Sequence, residues 1–146
     1  VTSSTCPSDD GPLAVDLVIA PTRPRPGLLL VRAFGEVDML TAGRLATVLR
    51  AAFATVADDR DTAAPADEPP SVVCDLDGVT FFGATGLDTL AAAHEEAVDR
   101  GVRLVVVASC RTVRRPMRLT ALDRRITLTA THPAVGRASA LPAAER

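Results

Sequence analysis

Residues 71–100, SVVCDLDGVTFFGATGLDTLAAAHEEAVDR, constrain the fold more than any other stretch of the chain. Val72, Val73, Cys74 and Leu76 form a short apolar run between Pro69-Pro70 and Asp77-Gly78. A short run without polar alternation predicts a strand buried on both faces, as a parallel sheet requires. Leu87, Leu90, Ala91, Ala97 and Val98 then recur at helical spacing, with Asp88, Glu95, Glu96 and Asp99 mostly turned away. That pattern predicts an amphipathic helix. Gly83-Ala84-Thr85-Gly86 is the junction, a tight turn between strand and helix.

The junction places Thr85 at a helix start, where unpaired N–H groups and the positive end of the dipole favour an oxygen ligand or an anion. Two roles follow from that position. Thr85 caps the helix or turns the chain with its hydroxyl, or it carries a phosphate that the helix start would accommodate.

One domain is the natural size for 146 residues. The expected division is an N-terminal tail over 1–12, a single domain over 13–133 with an acidic, proline-rich loop at 58–70, and a C-terminal tail over 134–146. The formal net charge of −2 calls for neither nucleic acid nor an anionic membrane as partner. All the basic charge outside histidine is arginine. Cys6, Cys74 and Cys110 are an odd set without a close pair, which argues against a disulfide framework or zinc site and for reduced thiols. No apolar run approaches the roughly 20 residues of a membrane span, and the start of the sequence lacks the basic and apolar blocks of a signal peptide. The expectation is a cytoplasmic chain.

Along the chain, Leu13, Val15, Leu17 and Ile19 alternate with other residues as a half-buried strand. Pro21 to Gly27, with three prolines, is expected to be the hairpin connection, and Leu28 to Phe34 the second strand. Asp38 follows Gly35 at that strand's end, and Thr41 is placed to cap a helix whose apolar positions are Leu45, Val48, Leu49, Ala52, Phe53 and Val56. Val102 to Ala108 is another buried strand after the turn residue Gly101. Thr112 or Arg111 starts a helix carrying Val113, Met117, Ala121 and Leu122, with Pro116 in its first turn. Arg111, Arg114, Arg115, Arg118, Arg124 and Arg125 flank it, either as a solvated face paired with the chain's own acids or as a surface for an acidic partner. Ile126, Leu128 and Ala130 make a last strand. The order strand, strand, helix, strand, helix, strand, helix, strand predicts an α/β fold: a mixed sheet of about five strands with an initial hairpin and helices mainly on one face.

His94 falls beside the apolar stripe of the central helix and His132 beside Pro133. Neither joins a cluster that could hold a metal or activate a nucleophile. The phosphate-cradling GxxxxGK[ST] and GxGxxG patterns are missing as well. No cofactor and no catalytic residue is expected.

Asp75 to Leu87, DLDGVTFFGATGL, resembles the central motif of STAS domains of the anti-sigma factor antagonist family, D-L-x-x-V-x-F-x-D-S-S-G-L. Gly35 to Ala42, GEVDMLTA, resembles the family's G-E-L-D-x-x-T-A segment, and Leu119 to Ile126 its penultimate helix and entry to the last strand. Gly83 and Ala84 stand where the family has an acid and a first serine, so one hydroxyl remains in the turn. The resemblance implies a STAS fold and a non-catalytic module that binds an anti-sigma factor kinase while unmodified, freeing a sigma factor. It implies that Thr85 is the phosphorylated residue and that Asp38, Gly83, Ala84, Thr85, Gly86, Leu87 and Asp88 form the partner-binding surface, on a monomer or weak dimer. For Asp38 the residues alone leave an ordinary turn or cap role equally open. A scaffold or transport-system accessory whose turn is never phosphorylated, and a nucleotide-binding sensor, are the alternatives.

Overall fold

The computed structural model describes residues 16–62 and 68–131. The elements run β1 (Val18–Arg25), β2 (Leu28–Val37), α1 (Ala42–Thr62), β3 (Ser71–Phe82), α2 (Ala84–Arg100), β4 (Arg103–Val107), α3 (Arg111–Leu119), a 3-10 turn (Leu122–Arg124) and β5 (Thr127–Thr129). The strands form one sheet in sequence order, with β1 antiparallel to β2 and every later neighbour parallel. Each crossover steps in the same direction across the sheet, so a consistent right hand places all three helices on one face. The α/β fold expected from the order of apolar segments is the fold observed.

The first strand differs from expectation. It runs through Pro21 and Pro24 to Arg25, and only Pro26-Gly27 turn the chain, with Gly27 at φ 82. Pro21 and Pro24 are tolerated because β1 is an edge strand with one side free of the ladder, and the pairing is irregular between Thr22 and Arg25. The helix after β2 also runs further than its composition suggests. Asp58 to Thr62, expected in a loose loop, form the last turn of α1. Asp59 explains the extension: its carboxylate accepts the Gly27 N–H at 2.8 Å and pairs with Arg23, tying the helix end to the β-hairpin turn. The Gly27 hydrogen bond, joined by Arg23, holds the Asp59 carboxyl below its ordinary pKa despite burial.

The main core lies between the sheet and the helices. Leu45, Leu49, Phe53 and Val56 of α1 and Leu90 and Ala97 of α2 meet Val31, Val72, Cys74 and Val106 of the strands. Val98, expected on the apolar stripe of α2, is instead 61% exposed, and Ala93 and Gly86 take the buried places. On the other face, Leu28, Leu30, Val73, Val105 and Val107 form a second buried apolar cluster. The double-sided burial expected of the third strand is therefore observed. Cys74 is free and buried, and burial, with the Asp75 charge adding to it, pushes its thiol up to about 12. Of the reduced thiols expected, Cys110 departs: it is disulfide-bonded. Cys6 lies outside the described residues, as do residues 1–15, the segment 63–67 and His132 onward, on which the expected tails and domain limits fall.

Pro116 sits in the second turn of α3 rather than the first, where its missing N–H would face the Thr112 carbonyl. The helix begins at Arg111 after Cys110.

Candidate functional site

β2, β3 and β4 are parallel, so the three helices that follow them all begin at one end of the sheet. This end collects the residues that the sequence singles out. At the top of β2, the Asp38 Oδ1 accepts the N–H groups of Leu40 at 2.9 Å and Thr41 at 3.1 Å. The Thr41 hydroxyl in turn accepts the Asp38 N–H at 3.0 Å and donates to the Glu36 carbonyl at 2.7 Å. This reciprocal pairing has the form of a capping box and closes the turn over 38–41 that leads into α1. Thr41 stands directly before Ala42, the place expected of it, but its hydroxyl bonds back to Glu36 and Asp38 while its carbonyl accepts the Arg44 N–H at 2.9 Å.

The second half of the site follows β3. That strand accommodates two irregularities against β2, between Arg32 and Phe34 and between Gly35 and Glu36. At the first, Gly78 leaves room for the Phe34 ring, which would lie 2.3 Å from any Cβ there. The strand then continues to Phe82, past the expected break at Asp77-Gly78. The Gly83 N–H donates to the Val37 carbonyl at 3.0 Å, stitching the start of α2 to the residue before Asp38. Asp38 and the start of α2 are thereby neighbours in space, and the turn expected over Gly83–Gly86 shrinks to Gly83, because Ala84, Thr85 and Gly86 already belong to the helix.

Gly83 is the N-cap of α2 and makes no side-chain cap bond. Its carbonyl accepts Gly86 N–H at 3.0 Å and Leu87 N–H at 3.3 Å. The amides of Ala84 and Thr85, one and two residues into the helix, receive no such oxygen from the cap residue. A Cβ at Gly83 would meet the Phe81 ring at 3.1 Å, and Phe81 is 51% exposed and free to give. At Gly86 a Cβ would meet the Phe82 ring at 2.7 Å, and that ring is packed in the core. Gly86 is fixed by packing, whereas Gly83 is a position where an acidic side chain fits sterically.

Thr85 is half-buried, Ala84 and Asp88 are exposed, and Leu87 packs partly against the core. Three apolar side chains at the same end were not singled out from the sequence. Met39 and Leu40, in the turn that Asp38 holds, are 79% and 86% exposed, and Phe81 stands beside Gly83. The signal available for Met39 and Leu40 is that a turn closed by an Asp–Thr box carries two large apolar residues where polar ones are usual. Among the described residues, no three His, Cys, Asp or Glu side chains converge as a metal ligand set. His94 is half-buried and lines a shallow groove with Glu95, Val98, Asp99 and Arg125.

A family model described as the STAS domain matches residues 20–138. The chain belongs to the STAS domain family. Among relatives of this STAS domain, "Anti-sigma-F factor antagonist RsfB" of Mycobacterium tuberculosis is 32% identical over 105 residues, covering 72% of this chain and 75% of that protein. A crystal structure of an anti-sigma factor antagonist from Mycobacterium paratuberculosis is 33% identical, with a TM-score of 0.63 over 80% of this chain and 87% of that one. The anti-sigma factor antagonist SpoIIAA in its unphosphorylated form shares the fold at 15% identity, with a TM-score of 0.58 over 83% of this chain and 96% of that one.

Proposed function

We propose that this STAS domain is an anti-sigma factor antagonist that docks through the sheet end carrying Asp38, Gly83, Ala84, Thr85, Gly86, Leu87 and Asp88. The observation that carries this reading is Thr85 in the first turn of α2, behind a glycine cap and stitched by Gly83 to the Asp38 turn. The names of the relatives support the partner class. In the unmodified state the face would be neutral at Thr85, framed by Met39, Leu40 and Phe81 as apolar anchors. An anti-sigma factor with a serine/threonine kinase fold would bind there and release its sigma factor.

Phosphorylation of Thr85 would end the interaction. It adds about −1.5 to −2 charges to this face, with Asp88 one helical turn further on. The uncapped amides at the start of α2 would stabilise the phosphate within the chain, so the change is one of charge rather than of fold. The kinase would supply its own catalytic aspartate, which is why an acid at position 83 is not required for transfer. Gly83, where the family motif has an acid, equally favours a second reading, a scaffold whose turn is never modified. Incubation with the cognate kinase and ATP, followed by mass-spectrometric mapping, separates the two. Phosphate on Thr85, absent from Thr85→Ala, supports the switch; phosphate elsewhere, or none while another antagonist is modified, supports the scaffold.

A further inference from the structure

Among the described residues, Arg23, Arg25, Arg32, Arg44, Arg50, Arg100 and Arg125 pair with carboxylates. The arginines of α3 do not. Arg111, Arg115 and Arg118 are exposed and meet no carboxylate among the described residues, while Arg114 donates to the Ala108 carbonyl at 2.9 Å. Positions 111, 115 and 118 fall on one stripe, opposite buried Val113 and Met117, and span about 10 Å at the rise of a helix. From 111 to 125 the chain carries six arginines against the single carboxylate of Asp123, in a protein whose net charge is negative. The stripe also begins at the wrong end of its helix. Arg111 lies in the first turn of α3, which contains no acid, so its charge adds to the positive end of the dipole. A locally unfavourable choice with no compensating carboxylate among the described residues marks a surface kept for something outside the chain.

We infer that the Arg111–Arg115–Arg118 stripe is a docking surface for an acidic protein segment, one presenting carboxylates at matching helical or extended spacing. Guanidinium groups pair bidentately with carboxylates, and three in line read a row of them. Nucleic acid fits less well: the chain has no Trp or Tyr, and no phenylalanine lies on α3 to stack a base. A membrane fits less well because only Leu119 adds an exposed large apolar side chain to this helix. Arg111 lies at the same sheet end as Thr85, so the stripe extends from that end down the flank, but the inference stands without the Thr85 switch.

The test uses the full chain and four probes: a helical peptide with glutamates at i, i+4 and i+7, its glutamine counterpart, a DNA duplex, and phosphatidylserine-containing vesicles. NMR titration should show the glutamate peptide alone perturbing residues 111–118, with affinity falling as salt rises. Arg111→Glu combined with Arg115→Glu should weaken binding about tenfold or more, as expected for reversed interface charges. Both sites are solvent-facing, so the fold should survive, which circular dichroism checks; Arg103→Glu, an exposed reversal off the stripe, should leave binding unchanged. Equal binding of the glutamine peptide, perturbation centred elsewhere, or tighter binding of DNA or vesicles would overturn the inference. So would self-association of the chain that the double variant abolishes, which would give the stripe to a second copy.

Discussion

Asp38 holds the local fold at the sheet end proposed as the interface. Its Oδ1 receives two backbone N–H groups and its own N–H is taken by Thr41, so the Met39-Leu40 turn is held in one shape. Asp38→Ala should cost about 1 kcal/mol of stability, the usual worth of such a cap, measured by denaturant unfolding. Asp38→Asn keeps a cap oxygen and should lose only a few tenths, because asparagine is as good a cap as aspartate. If Asp38 also contributes charge to the docking face, Asn will weaken partner binding while leaving stability nearly intact. At Gly86 the constraint is space. Gly86→Ala would drive a methyl into the packed Phe82 ring and should destabilise by about 1–3 kcal/mol, the usual cost of overpacking. The sequence marked both positions through their motifs. It could not reveal that the Thr41 hydroxyl turns back to Asp38 and Glu36, because a threonine before a helix suits either a cap or a reciprocal box.

At the scale of elements, the apolar periodicity of α1, α2 and β3 was legible because each buries a regular stripe or run against the sheet. What misled was local chemistry overridden by tertiary contacts. Two prolines read as a loop but lie in an edge strand, and an acidic stretch read as a loop completes α1 because Asp59 finds Gly27 and Arg23. That latch has a pH signature. Asp59 has a folded pKa below its ordinary value of 3.8, so the unfolded state binds the proton first as pH falls. Its stabilisation is full above about pH 3.8 and is lost as pH drops through the lower folded value. Asp59→Asn should therefore lower stability at neutral pH and flatten the acid limb of the stability profile below pH 4, read by thermal unfolding across pH.

For the whole molecule, strand order and handedness place all three helix starts at one sheet end, and the chain order was enough to anticipate this. Asp38 and Gly83–Asp88, some 45 residues apart in sequence, are joined there by the Gly83–Val37 hydrogen bond. The second apolar cluster on the opposite face was legible in the unbroken apolar run of β3, whereas the exposed Met39, Leu40 and Phe81 were not, because a short apolar stretch does not disclose which side chains remain uncovered. No described helix is long and apolar enough to cross a membrane. The fold thus presents these residues at one sheet end, and the proposed function rests on whether charge at Thr85 controls that end. Calorimetric titration of the cognate anti-sigma factor with the unmodified chain and with the chain phosphorylated at Thr85 measures this directly. The account predicts tight binding by the first and at least a hundredfold weaker binding by the second, about 3 kcal/mol for a phosphate brought against a surface shaped for a hydroxyl. Equal affinities for the two forms would contradict it.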